Sequence, residues 1–214
     1  MLARIRISVP DRPGSLGRVA TALGTVGADI VQVEVLEAEA GRALDDVHVD
    51  VRDVDHLDRL STVLAGVPGV TVVGLQHPAP PTTGHAELEL VAQVLAQPDR
   101  ALQTLVDGAP GAVGADWAAC LVYDERGAAT GVRERSTACP GEDRVPLTAP
   151  LRVAALSWPG TAGAALAPLA GTRLGLAVVR ESGPPFHRSE LWRLEQVGRI
   201  VGPVVAPALD TGAG

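Results

Sequence analysis

The sequence reads Asp11-Arg12-Pro13-Gly14-Ser15-Leu16-Gly17 between a strand pattern and a helix pattern, and this stretch decides the fold. Upstream, Ile5, Ile7 and Val9 alternate with polar residues, which predicts a half-buried strand. Downstream, apolar residues recur every three or four positions, which predicts an amphipathic helix. The turn between them leaves backbone amides at the positive end of a helix dipole, where a carboxylate or phosphate is favoured. A tight turn without any ligand is equally compatible with these residues.

Six elements in the order βαββαβ are predicted within residues 1–76. After the first strand and helix come a strand at Asp29–Glu37, a strand with Val47, Val49 and Val51 on one face, a helix capped by Asp53 or Asp55, and a strand at Val70–Leu75. This order predicts a ferredoxin-like sandwich, in which a four-stranded antiparallel sheet carries both helices on one face.

The first strand of that topology lies between the third and the fourth. Its Arg4 and Arg6 then share the open face of the sheet with Asp46, His48 and Asp50, and we expect this face to meet water or an equally polar partner. His48 is accordingly predicted to be a surface residue of the strand.

The second strand is predicted to lie at an edge of the sheet and is rich in valine between Ile30 and Leu36. An exposed edge of this kind is prone to pair with another chain. A domain of this size also buries a modest fraction of its surface. We therefore expect a homodimer that pairs through this edge.

A second domain is predicted at residues 87–214, after a proline-rich linker at 77–86. Its first helix runs from Glu87 towards Val106 and is interrupted or bent at Pro98, and its last helix opens after Phe186 and is bent or ended by Pro203. Strands are expected at Trp117–Tyr123, near Ala129–Glu134, near Leu151–Leu156 and at Arg173–Arg180. Terminal helices that flank an antiparallel sheet place the whole chain in the α+β class.

Composition excludes several classes of function. The net charge of −7 is spread over both halves, so neither offers the basic surface that nucleic acid binding needs. The sequence contains no lysine, which excludes a Schiff base or a P-loop lysine. The uncharged stretch Val153–Thr172 contains prolines and glycines and would insert poorly into a membrane. With 2 cysteines and no apolar leader at its start, the chain is expected to be cytoplasmic.

The first domain resembles an ACT domain, the amino-acid-sensing module of many biosynthetic enzymes and regulators. The resemblance covers residues 3–76 and rests on Val9-Pro10-Asp11-Arg12-Pro13-Gly14-Ser15-Leu16, on the helix that follows and on Gly27-Ala28-Asp29-Ile30. It implies that a small amino acid or related metabolite binds between two such domains. The ligand-binding residues that it implies are Asp11, Arg12, Pro13, Gly14, Ser15 and Leu16, together with Asp29 and Ile30.

Asp29 stands where the family usually has asparagine. An aspartate there would bind an ammonium group and repel a carboxylate, so it either tunes the site or removes ligand binding. The sequence contains no asparagine at all, which makes compositional drift a third explanation.

The second domain is similar to a GAF domain. The resemblance rests on the run Pro168–Arg180 and on Gly183-Pro184-Pro185-Phe186 before an acidic helix. It implies a module that binds small molecules or dimerises. The segment between Glu134 and Leu151 is short for one that covers a ligand, so we expect a scaffold role and no cofactor.

No catalytic constellation emerges from the sequence, and a non-enzymatic regulatory protein is the resulting prediction. One alternative is a thiol-dependent redox enzyme that uses Cys139, which Arg133, Arg135 and Arg144 neighbour in sequence. A second alternative is a module whose role is dimerisation alone.

Overall fold

The computed structural model describes residues 1–77, 85–141 and 144–210, the last four of them by their backbone alone. The chain divides into two compact units, Met1–Pro81 with Ser182–Pro184 and Thr82–Glu181 with Pro185–Gly214. Residues 78–84 of the predicted linker at 77–86 lie outside the described residues. The linker and its boundaries therefore stay a prediction.

The N-terminal unit has the predicted βαββαβ order. Its elements are β1 (Leu2–Pro10), α1 (Ser15–Thr25), β2 (Asp29–Glu39), β3 (Arg42–Asp50), α2 (Val54–Ala65) and β4 (Thr71–Gln76). The strands form an antiparallel sheet in the order β2-β3-β1-β4, so β1 is central and β2 lies at an edge, as predicted. Asp53 caps α2, because its side chain accepts a hydrogen bond of 2.7 Å from the His56 amide.

One face of this sheet carries the core. Buried side chains of β1 and β3 alternate along each strand and pack against apolar residues of both helices, among them Val19, Leu23, Leu57, Leu60 and Leu64. On the edge strand β2, Val31, Val33 and Val35 remain 57%, 40% and 55% exposed.

Arg4, Arg6, Asp46 and His48 on the opposite face of the sheet are buried, contrary to the expectation that they meet water, whereas Asp50 on that face is exposed. Arg6 donates to both carboxylate oxygens of Asp46 at 2.7 Å, and this pairing satisfies two charges that burial would otherwise penalise. His48 is 3% exposed, so its prediction as a surface residue is wrong. Burial, assisted by the nearby Arg4, lowers the pKa of His48 from its ordinary value.

The C-terminal unit is built around a second antiparallel sheet. Its elements are α3 (Ala86–Ala96), a short 3-10 turn (Pro98–Arg100), α4 (Ala101–Val113), β5 (Trp117–Tyr123), β6 (Ala129–Arg135), β7 (Ala154–Leu156), β8 (Gly163–Pro168), β9 (Leu174–Arg180) and α5 (Arg188–Asp210). The sheet order is β6-β5-β9-β8-β7 over the described residues. Apolar residues of the three helices pack on one of its faces, around Leu105, Val106, Leu176 and Val201. The α+β class is therefore confirmed for both units.

The structure adds one strand to the predicted elements of this unit, and of the two outcomes predicted for Pro203, a bend or an end of the helix, it excludes the end. Strand β8 was not predicted, because Gly163-Ala164-Ala165-Leu166-Ala167-Pro168 lacks both alternation and β-branched residues. Helix α5 continues past Pro203 to Asp210, because Val197, Val201 and Val205 keep one face buried on both sides of the proline. None of the helices in the described ranges is long and apolar enough to cross a membrane.

Candidate functional site

The loop between β1 and α1 is held at its start by the neighbouring hairpin. The Asp11 amide donates to the Gly41 carbonyl at 2.9 Å, and the Arg12 amide turns back to the Pro10 carbonyl at the same distance. Gly14 then begins the helix with a φ of +84°, in the left-handed region that favours glycine. A side chain at Gly14 would meet nothing within 4 Å, so backbone conformation and not space selects glycine there.

Three backbone amides at the beginning of α1 are unpaired. The Ser15 amide donates to the Arg12 carbonyl at 3.2 Å, but those of Gly14, Leu16 and Gly17 have no protein acceptor among the described residues. Neither a side-chain cap nor an acidic residue occupies the first turn. The positive end of the helix dipole is therefore uncompensated and points its amides outward.

Of these three residues, Gly14 and Leu16 border a cavity of about 430 Å³. It is lined by Val9, Pro10, Asp11, Arg12, Pro13, Gly14, Ser15 and Leu16 from β1, the loop and α1, by Val35 and Ala38 from β2, and by Ala43 and Asp45 from β3. Its volume is in the range of small-molecule sites. Within the described part of the chain, the Arg12 guanidinium forms no ion pair.

Asp45 lies in the wall of this cavity and is 1% exposed. Its Oδ1 atom has no hydrogen-bond partner among the described residues. Burial raises the pKa of Asp45 from its ordinary value, and the negative charges of Asp46 and Asp11 raise it further. A buried carboxylate without a partner is an exception in folded proteins and calls for an explanation.

The structure brings together only part of the predicted site within one chain. Residues Asp11–Leu16 all line the cavity. Asp29 and Ile30 do not, because they pair with Asp50 and Val49 at the far end of the sheet. The length of β1, on the order of 25 Å, separates them from the loop.

Sequence reasoning missed the cavity residues that come from β2 and β3. Asp45 and Asp46 are adjacent residues of β3, so their side chains lie on opposite faces of the sheet. The position of Asp45 in the strand was the signal that could have found it. Asp45 is two residues from each of the core residues Ala43 and Val47, so its carboxylate points to the same face of the sheet, towards the helices.

The two cysteines of the C-terminal unit have different surroundings. Cys120 is fully buried in β5, and burial raises the pKa of its thiol to about 12, which disfavours the reactive thiolate. Cys139 is half-buried, and its Sγ lies 3.7 Å from the Gly141 carbonyl oxygen.

Residues 1–74 match the ACT domain family. The N-terminal unit is an ACT domain. The resemblance of the first domain to an ACT domain is thus confirmed. NAD-dependent malic enzyme 1 of Bacillus subtilis (strain 168) is 35% identical over 60 residues, which are 28% of this chain and 14% of that enzyme.

Two solved structures are similar to parts of this chain. The ACT domain from GTP pyrophosphokinase of Chlorobium tepidum shares 24% identity over 36% of this chain and 95% of its own, with a TM-score of 0.30. The GAF domain from Acinetobacter phosphoenolpyruvate-protein phosphotransferase shares 14% identity over 60% of this chain and 94% of its own, with a TM-score of 0.45.

Proposed function

We propose that this protein is a non-enzymatic regulator whose ACT domain binds a small amino acid or related metabolite where two copies meet. The observation that carries the proposal is the cavity at the beginning of α1, bordered by the unpaired amides of Gly14 and Leu16. The proposed ligand carries a carboxylate that accepts hydrogen bonds from these amides.

Three features of the loop favour that carboxylate. The unpaired amides supply donors, the dipole of α1 supplies a positive potential, and Arg12 adds a full positive charge at the cavity wall. Arginine and backbone amides together are a usual donor set for carboxylates. Val35, Ala38 and Ala43 provide an apolar wall for a small side chain.

The proposed dimer forms by antiparallel pairing of two β2 edges, which carry the exposed valines. A two-fold axis near Glu34, the middle residue of β2, would set Asp29 of a second copy beside Glu39 of the first. Asp29 and Ile30 of the second copy would then approach the cavity, whose β2 residues are Val35 and Ala38. In this dimer, Asp29 and Ile30 of one chain lie near the cavity of the other chain, although they are far from the cavity of their own chain.

A thermal-shift screen of the full chain against the standard amino acids, each at millimolar concentration, tests this proposal. Ligand that binds the folded state alone raises its stability by mass action, so a saturating effector is expected to raise the melting temperature by several degrees. Sedimentation of the same sample is expected to show a dimer. Absence of any shift with every amino acid would contradict sensing, and a monomer would contradict the shared interface.

The non-enzymatic part of the proposal has its own test. We expect no turnover of methionine sulfoxide in the presence of a thiol reductant. Turnover that disappears in Cys139→Ser would establish the redox alternative instead.

A further inference from the structure

We infer that Asp45 binds the α-ammonium group of the effector, so that the cavity selects amino acids over carboxylic acids of the same shape that lack an amine. This inference rests on the proposed function and assigns the chemistry of the same cavity. It gives a role to a residue of β3 that lies outside the loop and outside the beginning of β2.

The Asp45 carboxylate is buried and has an oxygen atom without a partner among the described residues. The side chain is 1% exposed, yet its Oδ1 atom has no partner in the described part of the chain. A buried carboxylate that lacks hydrogen bonds destabilises the folded state. The neighbouring Asp46, which is equally buried, has two hydrogen bonds from Arg6. Asp45 is thus the acidic side chain of this strand that is left open to a ligand.

The two sides of the cavity carry opposite charges. Its α1 side presents amide donors, the positive end of a helix dipole and the guanidinium of Arg12. Its β3 side presents the carboxylate of Asp45, and Asp11 at the rim adds a second negative charge. An α-amino acid carries a carboxylate and an ammonium on the same carbon, and this pair of opposite charges matches the two sides of the cavity. An amine-free acid would match the first side alone.

The Asp45 side chain is shielded from water. A charge pair in a water-excluded site is stronger than the same pair on the surface, because the surrounding dielectric constant is lower. Asp45 therefore offers an ammonium group a stronger partner than an exposed carboxylate such as Asp11. Discrimination arises because a ligand without the amine leaves this buried charge unpaired.

Isothermal titration calorimetry of the full chain tests the inference with matched pairs of ligands. The pairs are glycine and glycolate, L-alanine and L-lactate, L-serine and glycerate, and L-valine and 2-hydroxyisovalerate. In each pair a hydroxyl group replaces the amine and the carboxylate is kept. The variants are Asp45→Asn, which keeps the shape and removes the charge, and Asp58→Asn, which removes the same charge from an exposed position of α2.

We expect at least one amino acid to bind the wild type about tenfold to a hundredfold more tightly than its hydroxy acid. Asp45→Asn is expected to remove most of that difference by weakening the amino acid, and Asp58→Asn is expected to keep it. An amino acid that binds Asp45→Asn as tightly as the wild type would overturn the inference and leave the proposed function standing. Equal binding of both members of every pair to the wild type would also overturn it. If no ligand binds the wild type, the proposed function fails together with the inference.

Discussion

Asp45 and Asp46 are consecutive residues of β3, and their carboxylates lie on opposite faces of the ACT sheet. Asp46 accepts two hydrogen bonds of 2.7 Å from Arg6. On the same face, the Nη1 atom of Arg4 lies 3.9 Å from the Oδ2 atom of Asp46. Asp45 is equally buried on the helix face, beside the cavity, and its Oδ1 atom has no partner within residues 1–77, 85–141 and 144–210. Strand β3 thus carries the Asp46 carboxylate, which Arg6 holds in place, and the Asp45 carboxylate, which could accept hydrogen bonds from a ligand.

Replacement of Asp45 by asparagine is expected to stabilise the unliganded protein by about 1 kcal/mol at neutral pH, because it removes a buried charge without a partner. The pKa of Asp45 is raised in the folded state, so the folded chain holds this proton at pH values where the unfolded chain has released it. The free energy of unfolding of the wild type therefore falls as the pH rises from 3.8 through the raised value.

Urea unfolding of the wild type and Asp45→Asn at several pH values measures this effect. The free energy of unfolding of Asp45→Asn should exceed that of the wild type most clearly near neutral pH. This difference should shrink as the pH falls towards the ordinary pKa of an aspartate. A difference that does not change with pH would show that Asp45 ionises in the folded protein as it does in the unfolded chain.

Gly17→Glu is expected to raise the stability of the ACT domain and to weaken effector binding. Gly17 is exposed, and an added side chain would meet nothing within 4 Å. A glutamate at the third helical position can accept a hydrogen bond from the Gly14 amide, which places a negative charge where the ligand carboxylate is proposed to bind.

Gly17→Ala is the matched control for that variant. Its free energy of unfolding is expected to rise by about 0.5–1 kcal/mol, because alanine has a higher helix propensity than glycine, and its affinity for the effector is expected to stay the same. Calorimetric titration of both variants with the effector separates the effect of the added negative charge on affinity from the effect of replacing the glycine. Unchanged binding by Gly17→Glu would argue that the amides at the beginning of α1 take no part.

Val33→Arg is expected to dissociate the proposed dimer. Val33 is 40% exposed near the middle of β2, so a two-fold axis there would bring the two introduced arginines close together, and like charges across paired strands repel. Val54→Arg introduces the same charge at a residue of α2 that is 61% exposed and should not alter assembly. Sedimentation velocity gives the comparison, and a Val33→Arg protein that remains dimeric would place the interface elsewhere.

Asp46→Ala is expected to destabilise the protein by about 3–5 kcal/mol, because it removes the carboxylate that accepts two hydrogen bonds from the buried Arg6. Asp50→Ala removes an aspartate of the same strand that pairs with the N-terminal ammonium group at the surface, and it should leave the free energy of unfolding nearly unchanged. Chemical unfolding measures both variants. Equal effects of the two substitutions would contradict the structural role given to Asp46.

The sequence predicted those features that depend on local pattern. The turn before α1, the edge position of β2 and the shared sheet face of Arg6 and Asp46 all follow from alternation, glycine and proline positions and the βαββαβ order. Each depends on residues that are close in sequence or on one well-defined topology. For these features the local preference and the tertiary structure agree.

Features that depend on burial could not be read from the same patterns. Three of the six residues of strand β8 are alanine and none is β-branched, so neither period-two alternation nor β propensity predicts it, although the sheet buries it on both faces. The burial of His48 and Asp45 likewise depends on what packs over the sheet, and a polar residue in a strand gives no sign of it. The part of the site missed by the sequence analysis is the part that lies on β2 and β3.

The central claim is that an amino acid binds at the beginning of α1. A ¹H–¹⁵N NMR titration of the full chain with the amino acid that gives the largest thermal shift tests it most directly. We expect the amide signals of Gly14, Leu16 and Gly17 to shift together as ligand is added and to reach saturation. If these three signals stay in place while the ligand binds or while other amides move, the site lies elsewhere and the account is contradicted.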